Sequence, residues 1–189
     1  VAVDYSYLYE RAKSRYYEAC SEITSCQNQI DDLKKQRQQK INLINQLKTD
    51  IKNHEDALQK VKEIIKSETD FNNRVQDISS KTGQAAVNYT AMIECSNVVN
   101  KNLNEVYGDE MSNTKRTIND IFTNLKAKRS ELEAKIIDLK NRLKQAENEL
   151  NEINSRITAT QSRLQEWTSV KTQASYDMEY YRRKMSQAV

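Results

Sequence analysis

The sequence predicts an all-α protein: a long antiparallel helical hairpin of coiled-coil type, elongated in shape. Three observations lead there. Apolar residues recur at alternating steps of three and four over most of the chain, a pattern that keeps a narrow seam facing one partner helix. The 189 residues include no proline and only two glycines, Gly83 and Gly108, so few positions invite the chain to leave a helix. The 30 basic and 27 acidic residues interleave rather than cluster, as they do on solvated helix faces.

The first arm is expected over 4–79. Its seam runs Tyr5, Tyr9, Ala12, Tyr16, Ala19, Ile23, Cys26, Ile30, Leu33, Arg37, Lys40, Ile44, Leu47, Ile51, His54, Leu58, Val61, Ile65. Arg37, Lys40 and His54 interrupt it. Polar seam residues select register and partner at a cost in stability, and a long basic stem can lie along a seam with its head in water. Ser67-x-x-Asp70 before Phe71 resembles a capping box and marks a break near 67. A second register follows through Phe71, Val75, Ile78, Thr82, Ala85, Tyr89, Met92, Ser96, Val99, Leu103 and Val106.

The turn is expected near 79–84. Ser79-Ser80-Lys81-Thr82-Gly83 has the composition of a helix end, with glycine free to take the left-handed position after it. A reversal there divides the chain into arms of similar seam length. The second arm then spans 84–188, with a further weak point at Gly108, where Asp109 can cap a following helix. A three-helix zigzag turning at Ser67 and Gly108 is the alternative. Residues 1–189 form one domain in either case.

The last seam starts at Met111 and includes Phe122, Leu125, Arg129, Leu132, Ile136, Leu139, Ala146, Ile153, Thr160 and Lys171 on its way to Ala188. It keeps a single phase. With the turn at Gly83, Tyr5 falls near residue 157. Ile157, Leu164, Trp167, Ala174, Met178, Tyr181 and Met185 then have no partner within the chain. An uncovered apolar stripe of that kind reads as a partner-binding surface.

Function classes narrow quickly. A formal net charge of +3 spread along a hairpin is no nucleic-acid footprint. No glycine-rich phosphate loop, paired zinc histidines or nucleophile elbow is present. The chain is expected not to be an enzyme and to need no cofactor or metal. Its single histidine, His54, sits on the seam and reads as a register residue. Asn88-Tyr89-Thr90 matches a glycosylation acceptor by pattern alone. Cys20, Cys26 and Cys95 cannot all pair with one another, and they read as free thiols of a reducing compartment. There is no apolar run long enough to cross a bilayer and no cleaved leader pattern. The expectation is therefore a cytoplasmic protein, or one exported without a cleaved signal peptide by a dedicated secretion system. Membrane contact is not expected, because Asp177 and Glu179 interrupt the basic, aromatic C-terminus. Tyrosines crowd both ends, at Tyr5, Tyr7, Tyr9, Tyr16, Tyr17 and at Tyr176, Tyr180, Tyr181, beside Arg11, Arg15, Arg182 and Arg183. Tyr and Arg are frequent interface anchors.

Gly83-Gln84-Ala85-Ala86-Val87-Asn88-Tyr89 resembles the Gly-x-x-Ala-x-x-aromatic portion of the turn in WXG-type helical hairpins of type VII (ESX-like) secretion. It looks closest to the longer helical proteins that accompany LXG toxins in Gram-positive bacteria. Gly83, Ala86 and Tyr89 are the turn-motif residues. Leu125-x-x-Lys128 and Leu132-x-x-x-Ile136-x-x-Leu139 match the later part of the second helix. The resemblance covers about residues 20–145. Lys81 stands where the family's opening tryptophan would be, and no Tyr-x-x-x-Asp/Glu export signal follows. The resemblance implies a non-enzymatic targeting chaperone that packs against the helical N-terminal region of a secreted toxin. The alternative reading is a homo-oligomeric coiled-coil scaffold or tether.

Overall fold

A computed structural model of the chain describes residues 4–92 and 97–187; the side chains of 86, 89–92, 97–104 and 107 also lie outside the description. The described residues form three helices, α1 (Tyr5–Lys66), α2 (Glu68–Met92) and α3 (Asn97–Gln187), with no strand among them. The chain divides into two compact units, Val1–Leu47 with Arg142–Val189, and Lys48–Asn141. Both are built from antiparallel helix pairs.

In the first unit α1 opens on a side-chain cap. The Asp4 carboxylate accepts hydrogen bonds from the Ser6 and Tyr7 backbone N–H groups at 3.0 and 3.1 Å, which satisfies donors that the first turn leaves without helical partners. The α1 seam then packs on the end of α3. Tyr5 meets Tyr181, Tyr16 meets Lys171, Glu22 meets Arg163 and Lys40 meets Glu149. Rising numbers on α1 oppose falling numbers on α3, so the helices run in opposite directions. Ala12, Ala19 and Cys26, spaced by heptads, are buried, as are Thr160 and Ala174 on α3. Small side chains at these positions let the two backbones approach closely. Leu33, Ile153 and Ile157 form the bulkier part of the core. Each such buried side chain contributes ~1.5–3 kcal/mol. The Thr160 hydroxyl is buried at no polar cost, because it donates to the Arg156 carbonyl at 2.8 Å.

In the second unit the end of α1, then α2, runs against the start of α3. Glu55 pairs with Lys140 at 2.7 Å, Lys62 with Glu133 at 3.0 Å and Glu68 with Lys126 at 2.8 Å. Phe71 meets Phe122 edge-on, with ring centroids 6.1 Å apart. Glu55, Lys62, Glu133 and Lys140 each follow an inner seam position by one residue. In an antiparallel pair those flanks face each other, and opposite charges there set register. Exposed pairs of this kind are worth only ~0–1 kcal/mol each. They select the alignment that the apolar seam stabilises.

Three expectations about the chain path need correction. No reversal occurs at 79–84, because α2 runs through Gly83 without interruption. An interior helical glycine costs only ~1 kcal/mol against alanine, and the local Asp77–Lys81 pair at 2.8 Å lies on continuous helix. The direction changes between α2 and α3, whose connecting residues 93–96 are outside the described residues. Gly108 is also helical, within α3. A break does occur at Ser67, but the pairs on either side of it, Lys62–Glu133 and Glu68–Lys126, continue in one direction. It is a local interruption and not a turn of a zigzag. The capping box is replaced there. Both the Ser67 N–H and its hydroxyl donate backwards to the Ile64 carbonyl, at 3.0 and 2.7 Å, a tightened three-residue turn.

Candidate interaction surfaces

Two surfaces stand out, one in each unit. Among the described residues no group of three or more His, Cys, Asp or Glu side chains is placed to hold a metal ion. No described helix is long and apolar enough to cross a membrane.

The stripe expected to be uncovered is not. Ile157 and Ala174 are buried, and Leu164, Trp167, Met178, Tyr181 and Met185 are half-buried. Their partner is the first part of α1. Moving the reversal from residue 83 to the α2–α3 connection moves the residue opposite Tyr5 from about 157 to Tyr181. The apolar overhang therefore disappears. Gly83, Ala86 and Tyr89 are brought to no turn: all three lie along α2, and the side chains of Ala86 and Tyr89 are outside the described residues.

Lys40, His54 and Lys171 among the polar seam residues find partners inside the chain. Lys40 reaches Glu149, whose carboxylate also accepts from Gln145 Nε2 at 2.9 Å. The Lys40 hydrogen bond first, and Gln145 second, hold the Glu149 carboxyl below the usual carboxylate range. Lys171 lies over the Tyr16 ring, its Nζ 5.6 Å from the centroid, so an aromatic face rather than a carboxylate receives that charge. His54 is half-buried with Nδ1 2.7 Å from the Asp50 carbonyl, which requires that nitrogen to donate. Arg37 is exposed. Arg129 is half-buried, and its Nε has no hydrogen-bond partner among the described residues.

The first surface is the tyrosine end of the first unit. Tyr5, Tyr181 and Tyr180 form a chain of ring contacts at 6.5 and 5.4 Å. Tyr16 and Tyr17 stack edge-on at 5.7 Å. Tyr7, Tyr17, Tyr176 and Tyr180 are each more than half exposed. Antiparallel pairing thus brings the two tyrosine clusters of the sequence to one end. A shallow pocket between Tyr9, Met178, Glu179 and Arg182 lies among them.

The second surface has no counterpart in the sequence reading. In the second unit the half-buried residues of α2, among its described side chains, are Glu68, Asn72, Val75 and Thr82. They continue the phase of the first seam, through Val61 and Ile65. Phe71 and Ile78, which the second register placed inside, are 51% and 55% exposed, and Ile64 is 48% exposed. The signal was available: the two registers are out of phase by three residues, and one helix pair cannot bury both. No family model matches the chain, and no curated protein or solved structure shows significant similarity to it.

Proposed function

We propose that this chain is a non-enzymatic helical partner protein that packs against helices of a second protein. The N-terminal helical region of an LXG-type toxin is the partner that the Gly83–Tyr89 resemblance implies. The observation that carries the reading is the exposed tyrosine end, where Tyr7, Tyr17, Tyr176 and Tyr180 stand in solvent beside Arg11, Arg15, Arg182 and Arg183. Large, stiff aromatic side chains and arginines supply contact area at low entropic cost, which is why they anchor interfaces. The scaffold alternative, assembled through the α3 seam, meets a seam whose buried positions α1 covers in the first unit and α1 with α2 in the second.

The test is affinity recovery of the tagged chain from its native cells and medium, followed by mass spectrometry. A near one-to-one companion with long N-terminal helices is expected. It should be lost when Tyr7, Tyr17, Tyr176 and Tyr180 are changed together to Ser, with helicity by circular dichroism unchanged. A companion retained by that variant removes the tyrosine end from the reading. Recovery of the bait alone removes the partner.

A further inference from the structure

Within the second unit, we infer that α2 is a two-register element: it turns about its own axis at the Ser67 break and so changes which of its residues α3 covers. The two facing surfaces are mismatched in the present register. On α3, Phe122 is buried and Ile118 and Met111 are half-buried. Against them α2 sets Glu68, Asn72, Val75 and Thr82, of which only Val75 is aliphatic. Among the described side chains of α2 none is buried, although Ile51 and Ile136 of the same unit are. Phe71, Ile78 and Ala85 lie three residues out of phase with Glu68, Val75 and Thr82, and they are exposed. Three residues amount to roughly 60° around a helix of 3.6 residues per turn. Phe71 already stands at the edge of the contact, its ring centroid 6.1 Å from that of Phe122. A turn of that size, at constant height, brings Phe71 and Ile78 onto α3. It keeps Val75 and Thr82 against α3 as the second line of the seam, and it carries Asn72 outward. This inference is independent of the partner reading above, which uses the other unit.

The break supplies the pivot. An unbroken helix would carry the phase of α1 rigidly into α2. Here α1 ends at Lys66 and α2 begins at Glu68, and the Ser67 N–H and hydroxyl both fold back on the Ile64 carbonyl. A tightened turn inside a long helical path is a common hinge. The α3 residue opposite the break is Arg129, which lies between Lys126 and Glu133, the partners of Glu68 and Lys62 on its two sides. The Arg129 Nε is buried with no hydrogen-bond partner among the described residues. An unsatisfied buried donor raises the free energy of the register that contains it. The present register keeps α2 in phase with Val61 and Ile65 on α1, whereas the second gains apolar contact and needs extra twist at Ser67. The two costs oppose each other, which is the condition for two populated states. Whatever binds the apolar outer face, or its polar replacement, then selects one of them.

The chain has two phenylalanines, and they are the pair that meets at this contact. Labelling the full chain with 4-fluorophenylalanine therefore gives two fluorine signals, both local, which Phe71→Leu assigns. The Phe71 signal is expected to exchange between a solvent-exposed environment, which dominates, and a buried one. The exchange is read as a second resonance or as relaxation dispersion, and the exposed state shows the larger shift between H2O and D2O. Asn72→Glu puts a carboxylate on the present inner line and on a solvated flank in the second register. It should raise the buried population about threefold or more. Ile78→Glu puts a carboxylate on the seam of the second register alone. It should abolish the buried environment and leave helicity unchanged, because Ile78 is now exposed. A Phe71 signal that stays single and free of exchange in both wild type and Asn72→Glu overturns the proposal. So does exchange that Ile78→Glu leaves unchanged.

Discussion

Tyr5 at the start of α1 and Tyr181 near the end of α3 lie with ring centroids 6.5 Å apart, which makes the C-terminal stretch of the chain a structural necessity for its N-terminal stretch. Cys26 reports on this. It is buried within the first unit, whereas Cys20 on the same helix is half-buried. Alkylation followed peptide by peptide should modify Cys20 well before Cys26 in the native chain. Removing the residues after Ile157 should expose Ala12, Ala19 and Cys26 together and bring the Cys26 rate close to that of Cys20. A truncated chain that still protects Cys26 contradicts the pairing.

Gly83 offers a direct check on the chain path. A Cβ built there meets nothing within 4 Å, and the same holds for Gly108. Both residues are exposed and helical. Alanine at either position should therefore stabilise the protein by ~0.5–1 kcal/mol, the usual penalty for helical glycine. At a left-handed turn position the same change would destabilise. Urea unfolding midpoints of Gly83→Ala and Gly108→Ala decide between the two.

These two relationships also show how much was legible beforehand. Heptad spacing gave the helices and the core residues Ala19, Cys26, Leu33, Ile136 and Leu139, because a two-in-seven stripe has few other uses; the antiparallel pairing came only with a reversal placed inside the chain. It could not say where the chain reverses. A seam specifies that it is filled, not by which segment, and glycine is a weak breaker when both neighbouring segments are strong helix formers. The misplaced turn propagated into an overhang that does not exist. The Ile64–Phe71–Ile78 row was missed for a related reason. The sequence showed two apolar registers, and only the structure decides which one faces α3.

Glu149 makes the Lys40 pair sensitive to acid. Its carboxyl is held below the ordinary range mainly by the Lys40 hydrogen bond, with Gln145 adding to it. The folded chain therefore binds this proton more weakly than the unfolded chain. The resulting stabilisation is fully present above the unfolded carboxylate pKa, about 4.3, and is lost as pH falls from there through the lowered folded value. Glu149→Gln removes the titrating group. The stability difference between wild type and Glu149→Gln should be largest near neutral pH and should shrink as pH approaches 3. Unfolding midpoints at several pH values measure it, and a difference constant with pH rules out the linkage.

The phase conflict at Ser67 yields the sharpest structural prediction. The first seam places Glu68, Val75 and Thr82 on the inner line of α2, while the apolar set Phe71, Ile78 and Ala85 lies three residues later. Insertions of three residues are a known way to throw a heptad seam out of register. Deleting residues 67–69 should reverse this one. Phe71, Ile78 and Ala85 would move onto the inner line, and Val75 and Thr82 onto the positions now held by Asn72 and Ser79. Ser67, whose N–H and hydroxyl both turn back to Ile64, would leave with the break. Burying a phenylalanine and an isoleucine that are now about half exposed should raise stability by roughly 1–3 kcal/mol, visible as a higher urea midpoint with a larger denaturant slope. A deletion variant that is less stable than wild type would show that the outer placement of Phe71 and Ile78 is not a register conflict.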